Sequence, residues 1–115
     1  MPHIIIEFSQ DLGGPEPIGQ MLDAVHAAVA ASGLFDESHI KVRALPVGHY
    51  RVGGKHAAFI HAQCRIHAGR SETQKQALSA AVLAAIREQG LAVTVITVEV
   101  MEMERASYAK FQEGL

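Results

Sequence analysis

Apolar and polar positions along the chain change period several times, and each change marks an element. The apolar run Ile4-Ile5-Ile6, followed after Glu7 by Phe8, is short and β-branched, which predicts a strand. Gly13, Gly14, Pro15 and Pro17 end it. From there the period lengthens. Ile18, Met21, Leu22, Val25, Ala28 and Val29 recur at offsets of mostly three and four, the spacing of one helical face. Pro17 suits the first helical position and Gly33 the C-terminal cap. The stretch from Ile40 to Val47 reads as extended, and Pro46 restricts it to an edge or a broken strand.

The same plan then recurs. Ala58, Ile60, Ala62, Cys64 and Ile66 alternate with Phe59, His61, Gln63, Arg65 and His67, which is strand periodicity with one apolar and one mostly polar face. Ser71-Glu72-Thr73-Gln74 is a capping-box pattern that opens a second helix, with Leu78, Val82, Ala85 and Ile86 inward and a stop at Gly90. A last strand rich in Val, Ile and Thr runs roughly from Ala92 to Met101. The tail after Glu102 is open to a short helix or an extended arm.

The order is therefore β-α-β twice, in one domain over residues 1–115 with halves of about 1–56 and 57–115. A helix between two strands favours parallel pairing. Two such halves predict an α+β fold: a four-stranded mixed sheet with both helices on one face. The other face, carrying His61, Gln63, Arg65 and His67, is then bare, and packing against other subunits would cover it.

Composition narrows the functional classes. A net charge of −2 supplies no basic field for nucleic acid. The apolar runs are too short for a membrane helix, which needs about 20 residues. The N-terminus has no basic segment leading an apolar stretch, so no signal peptide is expected. A single cysteine, Cys64, cannot form an internal disulfide, and its place on the apolar face reads as a buried, inert thiol. A cytoplasmic protein is the expectation. The seven histidines form no ligand cluster; His61 and His67 share strand parity but lie about 20 Å apart along an extended chain, so no metal is expected.

Three positions invite chemistry. If Met1 is removed, Pro2 presents a secondary amine. An α-amino group has a pKa near 7.7–8.0, and apolar surroundings or nearby cations lower it further, which suits a proton shuttle at neutral pH. Arg70 lies between a strand and a capped helix N-terminus, where free N–H groups and the helix dipole favour an anion; its guanidinium adds a bidentate fork for carboxylate. Lys41 and Arg43 share strand parity and could add positive charge toward an anionic substrate. Read alone, each also has a plainer account: a permissive second residue, a solvated arginine, a solvated edge strand.

Together these residues resemble a known family. The start Met-Pro-His-Ile-Ile-Ile-Glu-Phe-Ser, the helix end Ala30-Ala31-Ser32-Gly33-Leu34-Phe35 and the turn Ile66-His-Ala-Gly-Arg-Ser71 are similar to 5-carboxymethyl-2-hydroxymuconate isomerase, of the tautomerase superfamily. The resemblance covers nearly the whole chain. It implies a homotrimer whose three sheets enclose a central core, with active sites near subunit boundaries. It implies a cofactor-independent ketonisation in aromatic-acid breakdown, with Pro2 moving the proton, Arg70 binding carboxylate, and Lys41, Arg43 and Ser71 contacting substrate. One departure stands out: the family's second active-site arginine falls at Lys41, which keeps the charge and loses the fork. That leaves two further readings: a tautomerase of a different enol acid within the superfamily, or an oligomeric ligand-binding module with no chemistry.

Overall fold

The computed structural model describes residues 1–115. Four strands form one sheet: β1 (His3–Ser9), β2 (Lys41–Val47), β3 (Phe59–His67) and β4 (Val95–Met103). Two helices, α1 (Pro15–Ala31) and α2 (Glu72–Arg87), connect β1 to β2 and β3 to β4. The sheet order is β2-β1-β3-β4, with β1 parallel to β2, β3 parallel to β4, and the two halves joined by antiparallel pairing of β1 with β3.

The alternation read in the sequence explains why the sheet has one covered face. Ile4, Ile6 and Phe8 of β1 and Ile60, Ala62, Cys64 and Ile66 of β3 are buried with Met21, Val25 and Val29 of α1 and Leu78, Val82 and Ile86 of α2. Burying these side chains removes most of their area from water, at about 25 cal/mol per Å². Ile96, Val98 and Val100 of β4 and Val42 and Ala44 of β2 extend the same layer to the sheet edges. The intervening residues stay polar or half exposed. On that open face His61 bonds Thr97 Oγ1 and Glu99 Oε2, each at 2.7 Å.

Boundaries differ from the sequence reading in two places. Helix α1 starts at Pro15 rather than Pro17, so both prolines sit in the first turn, where a missing N–H costs nothing. The last strand runs Val95–Met103 because its start is set by pairing of Val95 with Phe59, which local composition does not encode. Pro46 lies inside β2, opposite Phe8, and is accommodated because β2 is an edge strand. After β4 the chain makes a short 3₁₀ turn at Arg105–Ser107 and continues as an extended arm.

The capping box is present as read: Ser71 Oγ accepts from the Gln74 N–H at 3.1 Å, and Gln74 Oε1 accepts from the Ser71 N–H at 2.9 Å. No helix is long and apolar enough to cross a membrane. The Cys64 thiol is wholly buried, and burial pushes its pKa up to about 12. Cys64→Ala is therefore expected to cost stability, about 1 kcal/mol for one heavy atom deleted from a packed core. Urea denaturation at fixed protein concentration measures that cost, and turnover should change far less; a selective loss of kcat would refute the inert-thiol assignment.

Candidate active site

The antiparallel register of β1 and β3 pairs His3 with Arg65, so the start of β1 runs beside the end of β3. Pro2 is fully buried at that sheet edge, and its carbonyl accepts from the Lys41 N–H at 3.0 Å, tying it to the start of β2. Met1 is only 8% exposed. Its amine donates to the His39 carbonyl at 3.2 Å, and Lys41 Nζ donates to the same oxygen at 2.6 Å. Burial pushes the Met1 amine pKa down to about 5, assisted by contact with Lys41 and by the charges of Lys41 and Lys110.

A pocket of about 180 Å³ opens at this edge, lined among others by Met1, Phe35, His39, His67, Arg70 and Arg105. Arg70 reaches it from the turn between β3 and α2. Gly69, at φ +124°, makes that turn in a backbone region that side-chain-bearing residues rarely adopt. The Arg70 guanidinium stacks over the Phe35 ring at 5.1 Å and donates from Nη2 to the Leu34 carbonyl at 2.5 Å. Residues 34 and 35 follow the end of α1, so Arg70 links the two β-α-β halves across the pocket.

The remaining expected residues sit around this centre. Lys41 lies beside the N-terminal amine. Arg43 points along the open sheet face and donates to His3 Nδ1 at 3.2 Å. Because a guanidinium only donates, His3 Nδ1 must accept, and Nε2 then donates to the Tyr108 hydroxyl at 3.0 Å. Burial, then Lys41 and Arg43, lowers the His3 pKa, consistent with this neutral tautomer. Of the expected substrate contacts, none of Lys41, Arg43 and Ser71 lines the pocket; Arg70 alone does. Ser71 instead spends its hydroxyl on the helix cap one residue beyond Arg70.

Sequence reasoning missed several residues of this edge. His67 closes β3, stands edge-on to Tyr108 at 5.0 Å, and has a buried Nδ1 without a partner. Burial lowers its pKa first, and Arg105, the N-terminus, Arg70 and Lys110 act in the same direction. His39 and Arg105 come from short 3₁₀ turns whose positions depend on packing at the ends of strands, so no local pattern marks them. No group of three or more His, Cys, Asp or Glu side chains is arranged to hold a metal ion.

A buried N-terminal segment thus lies under cations, beside a pocket with guanidinium groups, on paired β-α-β halves. The 5-carboxymethyl-2-hydroxymuconate isomerase family model matches residues 2–110, and the chain belongs to that family of isomerases. A 5-carboxymethyl-2-hydroxymuconate isomerase from Deinococcus radiodurans R1 is similar at 25% identity and a TM-score of 0.83, over 97% of this chain and 90% of that one. A 5-carboxymethyl-2-hydroxymuconate delta-isomerase structure shares the fold at 21% identity and a TM-score of 0.77, over 100% of this chain and 95% of that one. So does a fused 4-OT protein described as a symmetric trimer, at 19% identity and a TM-score of 0.83, over 94% and 90% of the two chains. A search among curated proteins finds no match.

The capping box fixes the residue after Arg70, so its loss should be felt in the turn. Ser71→Ala is expected to lower stability by about 1 kcal/mol. Thermal unfolding checks this, and Ser71→Asp, which restores an acceptor at the cap, should recover most of the loss. No loss in the alanine variant would mean that the cap does not hold this turn.

Proposed function

We propose that this isomerase ketonises a 2-hydroxymuconate-type dienol carboxylate, 5-carboxymethyl-2-hydroxymuconate being the family substrate, in aromatic-acid catabolism. Pro2, exposed as a secondary amine once Met1 is removed, serves as the general base. The observation that carries this reading is the depressed pKa of an amine at this edge, from burial and from Lys41. Pro2 lies one residue further into the sheet, fully buried and bonded through its carbonyl to the Lys41 N–H, so an amine there would stand in similar surroundings. Loss of Met1, itself buried in the pocket, would also leave the Pro2 nitrogen facing that space.

The chemistry balances without a cofactor. The Pro2 nitrogen takes the proton from the 2-hydroxyl, the oxygen lone pair forms the C=O bond, and the double bonds shift along the chain. The prolinium then returns a proton to a carbon of the conjugated system, regenerating the amine. Oxyanion charge develops during the first transfer, and fixed cations stabilise it more effectively than water does. Arg70 binds carboxylate or polarises the developing 2-oxo group, with its guanidinium steadied by Phe35 and Leu34. Lys41 holds the amine in its free form. Arg43 and Ser71 support the site at one remove, through His3 and through the α2 cap.

We further propose a homotrimer in cytoplasmic protein, in which the open sheet faces pack together. The support is the half-exposed apolar content of that face, with Ile5, Phe59 and Val95 between its polar residues, and the trimeric description of a protein with the same fold. Small enol or keto carboxylates are the partners this reading requires.

The test is ultraviolet absorbance of dienol ketonisation by protein whose mass confirms loss of Met1. Pro2→Ala should reduce turnover by about 10²–10⁴-fold. A base must be unprotonated, so kcat/KM should be full above the amine's pKa and fall as pH drops through it. The midpoint should lie below the usual 7.7–8.0 of an α-amine. Equal rates in wild type and variant, or a midpoint at or above 8, would remove Pro2 from this role.

A further inference from the structure

Resting on the proposed enol-carboxylate reading, the pocket beside Pro2 carries one guanidinium more than that reading uses. Arg70 and Arg105 line the same pocket of about 180 Å³. A guanidinium has five N–H donors. Within the protein, Arg70 places one on Leu34 and Arg105 places its Nε–H on the Ala68 carbonyl at 3.3 Å. Neither is in an ion pair; the four ion pairs of the chain are His26–Glu37, His56–Asp11, His61–Glu99 and Lys75–Glu102. Asp36, the carboxylate of this pocket, is engaged by the Ser38 N–H at 3.1 Å and the Ser38 hydroxyl at 2.9 Å. Two cationic forks thus face one cavity with most donors unused.

Arg105 is held there by the fold. The chain leaves β4 and crosses the end of β3, where the Ala68 N–H donates to the Met103 carbonyl at 3.4 Å. The 3₁₀ turn closes through the Tyr108 N–H on the Arg105 carbonyl at 3.2 Å. The Tyr108 ring is anchored in turn by His3 and by the edge of His67. The other two cations expected near substrate are committed elsewhere: Lys41 Nζ to the His39 carbonyl, Arg43 to His3 on the open face. Lysine at 41 offers charge without a fork, whereas Arg105 offers both.

We propose that Arg105 is the second carboxylate-binding residue of this site, pairing with Arg70 to select dicarboxylates over monocarboxylates of the same length. Its Nη groups remain free for bidentate contact while Nε anchors the side chain to Ala68. Specificity then comes from two separated forks, each leaving unpaired charge when a ligand lacks one carboxylate.

The test uses two unreactive six-carbon ligands of matched geometry, trans,trans-muconate with two carboxylates and sorbate with one. Calorimetric titration of the Met1-processed enzyme should show muconate bound more tightly than sorbate. Arg105→Ala should weaken muconate by about 10–100-fold, the range for a charge-assisted contact, and sorbate by less than about threefold. Arg105→Lys should recover part of the muconate affinity and little of the selectivity. Arg105 is exposed, so these variants should fold. Muconate affinity unchanged in Arg105→Ala, equal losses for both ligands, or no muconate preference in the wild type would each overturn the assignment. Binding does not need the base, so Pro2→Ala should still prefer muconate. A failed Pro2 experiment therefore stays distinct from a failed Arg105 one.

Discussion

The antiparallel pairing of β1 with β3 joins the two halves of the molecule, and its register sets which residues meet. Ile4 lies opposite Cys64 and Ile6 opposite Ala62, all buried on the helix-covered face. A slip of one residue would turn every one of these side chains toward the open face. The core therefore enforces the register, and the register brings Pro2 beside the end of β3. From there Gly69 carries the chain around to Arg70. The N-terminus and the guanidinium are far apart in sequence and come together only because a hydrophobic pattern has one stable alignment.

The electrostatics of that edge follow from the same placement. The parallel partner β2 begins at Lys41 beside the N-terminal amine, and the extended arm brings Lys110 close enough to act on it. Cations near an amine and burial around it both disfavour the ammonium form. His3 and His67, half-buried among the same charges, are driven toward neutrality for the same reason. The site concentrates positive charge and lowers the pKa values of the Met1 amine, His3 and His67. On the proposed reading that combination suits proton abstraction from an anionic enol, because a field that attracts an anion also disfavours the ammonium form of an amine.

Much of the fold was legible in the sequence because its signals are local. Alternation in Ala58–His67, the helical stripe from Ile18 to Val29 and the Ser71–Gln74 box each lie within a single element, and each appears in the structure. Pro2 and Arg70 were singled out by local chemistry and family resemblance, and the structure brings the start of β1 and Arg70 to the same end of the sheet. The ends were less legible. The limits of β4 depend on pairing with β3, and the start of α1 depends on which of two prolines enters the first turn. His39, His67 and Arg105 carry no pattern that distinguishes them from solvated polar residues; only the meeting of three chain segments at one sheet edge does so.

Arg43 and Ser71 show why strand parity and sequence adjacency are incomplete guides to a site. Parity correctly put Lys41 and Arg43 on one face, yet β2 is an edge strand and a step of two residues carries Arg43 away from the pocket to His3. Ser71 is adjacent to Arg70 in sequence, but its oxygen caps the first turn of α2, accepting from the Gln74 N–H, as a serine at a helix N-cap favours. Groups the scaffold does not need are the ones free for a ligand in such a small domain. The donors of Arg70 and Arg105 left over after one backbone bond each are of that kind, whereas the Ser71 oxygen is turned to the first turn of the helix it starts and does not line the pocket.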